Sequence, residues 1–193
     1  MFNHNRGLWG YTGTASDGAP VTIMSHGMGG PSAAIVLEEL CDLGLEIAIR
    51  VGTCGAMDDR LALGDLLAVT EAIPGDGASA ALGARWPLPA DARLTAHLAR
   101  VADHAGPVAS ADLFYDPDPA RAEAWRAAGA LAVEMEAATI FAVAARRGVR
   151  AACLLAVSDG RPGAGARITT EDLEAASLRV GREALAALLA ETA

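Results

Sequence analysis

A chain of 193 residues, 52% of them hydrophobic and 20% charged, can fill one well-buried domain and is too short for two ordinary ones. Its positive mean hydropathy argues against disorder. The formal net charge is −9 and all 15 basic residues are arginine, which excludes a Schiff-base or P-loop lysine and leaves no basic run for nucleic acid. Cys41, Cys54 and Cys153 lie in apolar runs without C-x-x-C spacing, as reduced, buried side chains of a cytoplasmic protein would. His4, His26, His97 and His104 show no metal-ligand spacing. No charged-then-apolar leader opens the chain and no apolar run reaches about 18 residues, so neither export nor a membrane span is expected.

Apolar runs alternate with helical patterns. Residues 9–14 and 21–25 read as strands joined at the turn Ser16-Asp17-Gly18. Residues 31–43 read as a helix, with Pro31 in its first turn, Ile35, Val36, Leu40 and Leu43 recurring on one face, and Gly44 as its stop. Residues 46–52 and 66–72 are expected as short buried strands. Residues 74–89, rich in Gly, Ala and Pro, read as a mobile loop. A helix is expected over 91–105, a brief strand over 108–110, a helix over 117–128 and a strand over 131–134. A helix over 136–147 should end at Gly148, before a strand over 151–157. The closing helix is expected over 169–189, with Thr170 as its N-cap. Strand–helix alternation of this kind predicts one layered α/β/α domain over residues 1–193, with a mixed, largely parallel central sheet.

Four segments carry polar residues where such a sheet binds ligands, at strand ends. Ser25-His26-Gly27-Met28-Gly29-Gly30-Pro31-Ser32 runs from a strand through glycines into a helix, either as a ligand-approaching turn or as a tight turn alone. Ile49-Arg50-Val51-Gly52-Thr53-Cys54-Gly55-Ala56 buries an arginine in an apolar strand, which is costly unless the charge is paired. Arg50 and Thr53 could cradle phosphate; the alternative is a structural ion pair. Ser110-Ala111-Asp112-Leu113-Phe114-Tyr115-Asp116-Pro117-Asp118 holds the only adjacent aromatics, which could stack on a base or plug a loop. Val133-Glu134-Met135-Glu136-Ala137-Ala138 puts two acids at a strand-to-helix junction, facing one side if the strand persists and diverging if the helix has begun. Val157-Ser158-Asp159 ends the next apolar strand in a third acid, suited to protonating a leaving group. Caps and salt bridges are the structural alternative for these acids.

In this order the segments resemble the nucleoside phosphorylase family, from Asn5-Arg6-Gly7 through about Arg167. The segment Ser110-Ala111-Asp112-Leu113-Phe114-Tyr115 and the acid Asp159 make the likeness nearest to the hexameric purine enzymes. The resemblance implies that Arg50 and Thr53 bind phosphate, joined by Arg6 from a neighbouring subunit. It implies that Glu136 holds the ribose hydroxyls, Met135 packs on the sugar and Glu134 supports the same corner. Phe114 would lie against the base, with Ser158 beside it, and Asp159 would protonate the purine, partnered by Arg167. Inorganic phosphate would be the co-substrate, with no metal or organic cofactor, no nucleic acid and no membrane involved. A homo-oligomer, dimer or hexamer, is implied.

One departure stands out. The family normally begins with a strand carrying a Gly-Asp-Pro-x-Arg phosphate loop, then a helix, before the segment matched at Asn5. Without them a glycine backbone and an arginine of the phosphate site are missing, and a sheet edge or groove is expected to lie open. Three readings follow: a start assigned too late, a shortened relative that binds nucleosides without turnover, or a nucleosidase that uses water.

Overall fold

The structure, a computed structural model, describes residues 1–161 and 165–192. A 3-10 turn at Asn5–Gly7 leads into a hairpin of β1 (Gly10–Thr14) and β2 (Pro20–Met24). The hairpin turns where Asp17 Oδ1 accepts the Ala19 N–H at 2.9 Å and Gly18 takes a positive φ of 93°. A glycine-rich turn then opens α1 (Gly30–Asp42), which ends before Gly44, and the chain enters β3 (Ile47–Ala56). β4 (Leu66–Gly75), α2 (Gly77–Ala81), β5 (Leu88–Pro89), α3 (Ala92–Ala99), β6 (His104–Ala111) and α4 (Pro119–Ala127) follow. β7 (Ala132–Glu134), α5 (Ala137–Arg147), β8 (Arg150–Asp159) and α6 (Thr170–Thr192) complete the order.

The central sheet has the order β5-β4-β6-β7-β3-β8. The first residues of β4, Leu66 to Ala68, also pair antiparallel with Leu154 to Ala156 of β8. The sheet therefore curls until β4, β6, β7, β3 and β8 close a ring, with β5 hooked outside. The two long ladders, β3–β8 and β4–β6, are parallel, whereas β3–β7 and β4–β5 are antiparallel. This is the mixed, largely parallel sheet the alternation predicts. Side chains of β4 and β8 alternate between two cores. Leu67, Val69, Cys153 and Leu155 pack with α1 and α5, whereas Leu66, Ala68, Leu154 and Ala156 pack with α3 and α6. Helices on both faces explain why these strands read as unbroken apolar runs.

Several boundaries differ from expectation. Residues 74–89 are not a featureless loop: β4 runs on to Gly75, and α2 and β5 follow. Buried Asp76 organises the stretch, its carboxylate accepting from Ser79 N at 2.8 Å and from Thr139 Oγ1 of α5 at 2.6 Å. The helix expected over 91–105 stops at Ala99, because Asp103 accepts the Leu66 N–H at 2.8 Å and the chain enters β6 at His104. Gly106 and Pro107 mask the first half of β6 in the sequence. The α6 cap is Thr169, not Thr170: Thr169 Oγ1 accepts from Asp172 N at 3.1 Å, while the Thr169 hydroxyl donates to Asp172 Oδ2 at 2.8 Å.

β2 and β3 are joined by α1 yet belong to different sheets. Along Ile47 to Thr53, β3 pairs only with β8. An apolar groove of about 470 Å³ lies between β2 and β3, walled by α1 and α6. Among the described residues, no helix is long and apolar enough to cross a membrane.

Candidate active site

Arg50 sits inside β3 with 7% of its surface exposed. Its Nε donates to Glu134 Oε2 at 3.0 Å, and its Nη2 reaches Glu134 Oε2 at 2.8 Å and Glu136 Oε2 at 2.5 Å. Burial alone would weaken the guanidinium's hold on its proton, but the carboxylates of Glu134 and Glu136 outweigh it and raise its pKa. The remaining nitrogen, Nη1, makes only a long contact of 3.5 Å to Val51 O and is the donor left for a ligand. Gly52 is required beneath it, since a Cβ there would stand 2.2 Å from Nη1.

The two acids converge, although a helix begins between them and the rest of the chain. Glu134 ends β7 and caps α5: its carboxylate accepts from Glu136 N at 2.9 Å and from Ala137 N at 2.9 and 3.0 Å. Ser110 at the end of β6 donates its hydroxyl to Glu134 Oε1 and accepts the Ala138 N–H at 2.8 Å. Glu136 directs its other oxygen to the glycine turn, accepting from Gly29 N at 2.6 Å. Gly29 has φ 84°, a conformation that suits glycine and aims its N–H at the carboxylate. The Ser25–Ser32 and Ile49–Ala56 segments thus meet the Val133–Ala138 segment in one buried network. Caps and ion pairs are present, and so is a convergence of charges at strand ends.

The third acid lies two strands away. Asp159 of β8 is level with Gly55 of β3, and Gly55 is level with Val133 of β7. A Cβ at Gly55 would lie at ordinary contact distance from both corners, 3.6 Å from Val133 Cγ1 and 3.8 Å from Asp159 Cβ, so the two corners flank this position closely. Asp159 Oδ1 pairs with Arg167 Nε at 2.9 Å, and Asp159 Oδ2 accepts the Ser158 hydroxyl at 2.8 Å. Backbone bonds from Gly160 N to Ala166 O and from Ile168 N to Ser158 O hold the neck of the intervening loop. Residues 162–164 of that loop lie outside the described residues. The Arg167 guanidinium lies 5.8 Å from the Phe114 ring centroid, and Tyr115 meets Phe114 edge-on at 4.9 Å. Ser158, Asp159, Arg167 and Phe114 therefore form a second, more exposed corner.

Three expected residues are not drawn in. Continuing the β3–β7 register puts Met135 level with Thr53, but neither makes a side-chain hydrogen bond to the network among the described residues. Arg6 is exposed in the Asn5–Gly7 turn, with φ 56° and no ion pair among the described residues. Conversely, Ser110, Gly29, Gly52 and His26 emerge only from the fold. All four lie in segments singled out in the sequence, His26 and Gly29 in the glycine turn, Gly52 beside Arg50 and Ser110 at the head of the aromatic segment. His26 lines the groove beside Arg50, and burial first, then Arg50, lowers its pKa and keeps the imidazole neutral. Cys54 is no nucleophile here: burial and the Glu134 charge push its thiol up to about 12.

The chain belongs to the phosphorylase superfamily, whose sequence model matches residues 1–193. Over 156 residues it is 40% identical to a guanosine phosphorylase of Halorubrum lacusprofundi, covering 77% of this chain and 64% of that protein. It is also 40% identical to a DeoD-type purine nucleoside phosphorylase of Proteus mirabilis over 167 residues, 81% of this chain and 69% of the relative. A uridine phosphorylase of Escherichia coli is 36% identical over 162 residues, 73% of this chain and 64% of the relative. The chain thus spans about two thirds of the length of the curated relatives it matches.

Proposed function

We propose that this protein cleaves the N-glycosidic bond of purine nucleosides by phosphorolysis. The observation that carries the reading is the adjacency of two corners across Gly55: a buried Arg50–Glu134–Glu136 cluster and a paired, accessible Asp159. The purine preference rests on Asp159 and on relatives named for guanosine and purine nucleosides.

A nucleoside across Gly55 would set its ribose against Glu136 and Met135 and its base against Phe114 and Ser158. Phosphate would bind Arg50 through Nη1, beside Thr53. As the glycosidic bond breaks, its electron pair leaves with the base, and a phosphate oxygen forms the new bond to the anomeric carbon. With the base opening its pair with Arg167, Asp159 would take up a proton from water and deliver it to the purine ring nitrogen, neutralising the departing charge. Arg167 would stabilise the carboxylate that remains. General acid assistance of this kind is worth roughly 10²–10⁴-fold. The reading needs no metal or organic cofactor.

One observation favours a second reading. Arg50 faces two carboxylates, so the network is net negative before phosphate arrives. A dianion there needs another cation, the role open to Arg6 of a second copy in a homo-oligomer. Without such a cation, water would be the better acceptor and the protein a nucleosidase. Base release from inosine and adenosine, followed by chromatography in matched buffers with and without phosphate, decides between them. Release only with phosphate supports phosphorolysis; phosphate-independent release establishes hydrolysis; no release in either overturns both.

A further inference from the structure

We infer that Asp76 is a positioning residue for Glu136. Through Thr139 and Gly30 it fixes how far the glycine turn stands from the first turn of α5, and so where the Glu136 carboxylate points. The inference rests on the ribose role proposed for Glu136, with either phosphate or water as the acceptor; the placing of the carboxylate itself is measurable without substrate.

Asp76, just after β4, is a carboxylate only 2% exposed. A buried charge of this kind is costly to keep. As the N-cap of α2 it accepts from Ser79 N at 2.8 Å and from the Ser79 hydroxyl at 2.5 Å. A helix of five residues needs no charge for that, since serine or asparagine caps as well. The carboxylate has a second use. Its Oδ2 also accepts the Thr139 hydroxyl at 2.6 Å, from a fully buried side chain of α5 that lies 63 residues along the chain. Hydrogen bonds to a charged acceptor are roughly twice as strong as neutral ones. Gly30, the first residue of α1, lies directly on this bond: a Cβ there would stand 2.6 Å from Thr139 Oγ1 and 2.8 Å from Asp76 Oδ2. Only glycine lets α1 approach so closely.

Both sides of the bond lead to Glu136. Thr139 follows it in the first turn of α5, which Ile140 N closes onto Glu136 O at 2.9 Å. Moving Thr139 therefore moves the Glu136 backbone. Gly29, next to Gly30, donates its N–H to Glu136 Oε1 at 2.6 Å. The main chain of Glu136 thus belongs to one side of the Asp76–Thr139 bond, and the group that orients Oε1 belongs to the other. Arg50 holds the remaining oxygen from β3. Released from Asp76, α5 and the glycine turn would drift apart, and Oε1 would lose the donor that aims it.

In isotope-labelled protein, the Gly29 amide proton reports its bond to Glu136 Oε1 by magnetic resonance. Thr139→Val keeps the shape of the side chain and removes the hydroxyl. It should move the Gly29 resonance and speed amide exchange there at least about ten-fold, while Thr139→Ser, which keeps the hydroxyl, leaves both as in the parent protein. Ser79→Ala removes a donor on the α2 side only and should also leave Gly29 unmoved. In base release, kcat/KM for inosine should fall at least about ten-fold in Thr139→Val, and by less than about three-fold for deoxyinosine, which lacks a hydroxyl for Glu136 to hold. Circular dichroism checks folding, and Asp76→Ser is the second variant. Serine still caps α2 but does not reach Thr139, whose hydroxyl then bonds within its own helix. It should reproduce both effects. An unmoved Gly29 amide in Thr139→Val and Asp76→Ser would make Asp76 only the cap of α2 and overturn the inference. Equal loss on the two nucleosides would overturn it as well, since a purely structural role spares neither substrate. No base release from the parent protein would remove the ribose role of Glu136, whereas the Gly29 amide would still decide how that carboxylate is positioned.

Discussion

The two corners that flank Gly55 are built on opposite plans. In one, Arg50, Glu134 and Glu136 are each at most 7% exposed, and both carboxylates also accept backbone N–H groups. In the other, Asp159 is held by one arginine and one hydroxyl, Arg167 is largely exposed, and Phe114 is more than half exposed. Charges taken out of water survive only when every neighbour is fixed, so the buried corner is rigid at a cost in desolvation. A partly exposed, paired acid is cheap to rearrange, and on the proposed mechanism it would open for a base and close over it. The contrast assigns rigidity to the sugar and phosphate half of the proposed site and adaptability to the base half.

The sharpest way to break this contrast is to cut the buried corner. Glu134→Ala removes the cap of α5 and a main partner of Arg50, leaving the guanidinium underpaired. Breaking a buried pair from one side costs about 3–5 kcal/mol. Urea denaturation should show a loss of that size, and thermal unfolding should shift with it. A loss below about 1 kcal/mol would mean that the corner is not rigid and that Glu136 alone can hold Arg50.

The exposed corner should behave the other way. Asp159→Asn breaks a partly solvated ion pair, and such pairs contribute about 0–1 kcal/mol to stability. Folding should therefore be nearly unchanged. On the proposed mechanism, base release from inosine should nevertheless fall by roughly 10²–10⁴-fold. Nucleosides with an already activated base should be spared. Equal loss on both substrate kinds would remove Asp159 from the acid role while leaving the fold reading intact.

Legibility in the sequence divides along the same line. Arg50, Glu134 and Glu136 were readable because charge inside an apolar strand demands a partner, and the strand ends could be located from periodicity. Whether Glu134 and Glu136 share a side was not readable, because alternation governs strands and the helix starts between those rules. The partners that fix them, Gly29 and Ser110, come from segments 107 and 24 residues away, and only the folded sheet brings them together. The β-structure around residues 74–111 was blurred for a different reason: Gly, Pro and Ala dilute the apolar pattern, and Asp76 and Asp103 act through side-chain bonds that no periodicity reports. The closing of the sheet into a ring was equally hidden, since it rests on the short β4–β8 pairing.

Smaller effects sharpen the contrast through pH. Burial and Arg50 hold the His26 imidazole below its usual 6.5. In the unfolded chain it would take up a proton near that value, so below it the unfolded state binds more protons. The resulting stabilisation is fully present above about pH 6.5 and is lost as pH falls through the lowered folded value. Urea midpoints measured at pH 7.5, 6.5 and 5.5 should decline, and His26→Gln should flatten the decline. An unchanged slope in the variant would show that His26 is solvated and that the wall of the buried corner beside the groove is open to water.

The smallest expected effect concerns the base half. Arg167 lies over the Phe114 ring at a largely exposed site, where a cation–π contact is worth about 0.5–1 kcal/mol. Phe114→Leu keeps an apolar side chain but removes that face. Stability should fall by no more than about 1 kcal/mol, and on the proposed mechanism KM for a purine nucleoside should rise about two- to five-fold, with kcat little changed, because the ring would contact the base before and during bond cleavage alike. A fall in kcat with KM unchanged would point instead to a ring that positions Arg167, and through it Asp159, for the proton transfer. The two outcomes separate an adaptable binding surface from a second rigid element, which is the distinction that the two corners pose.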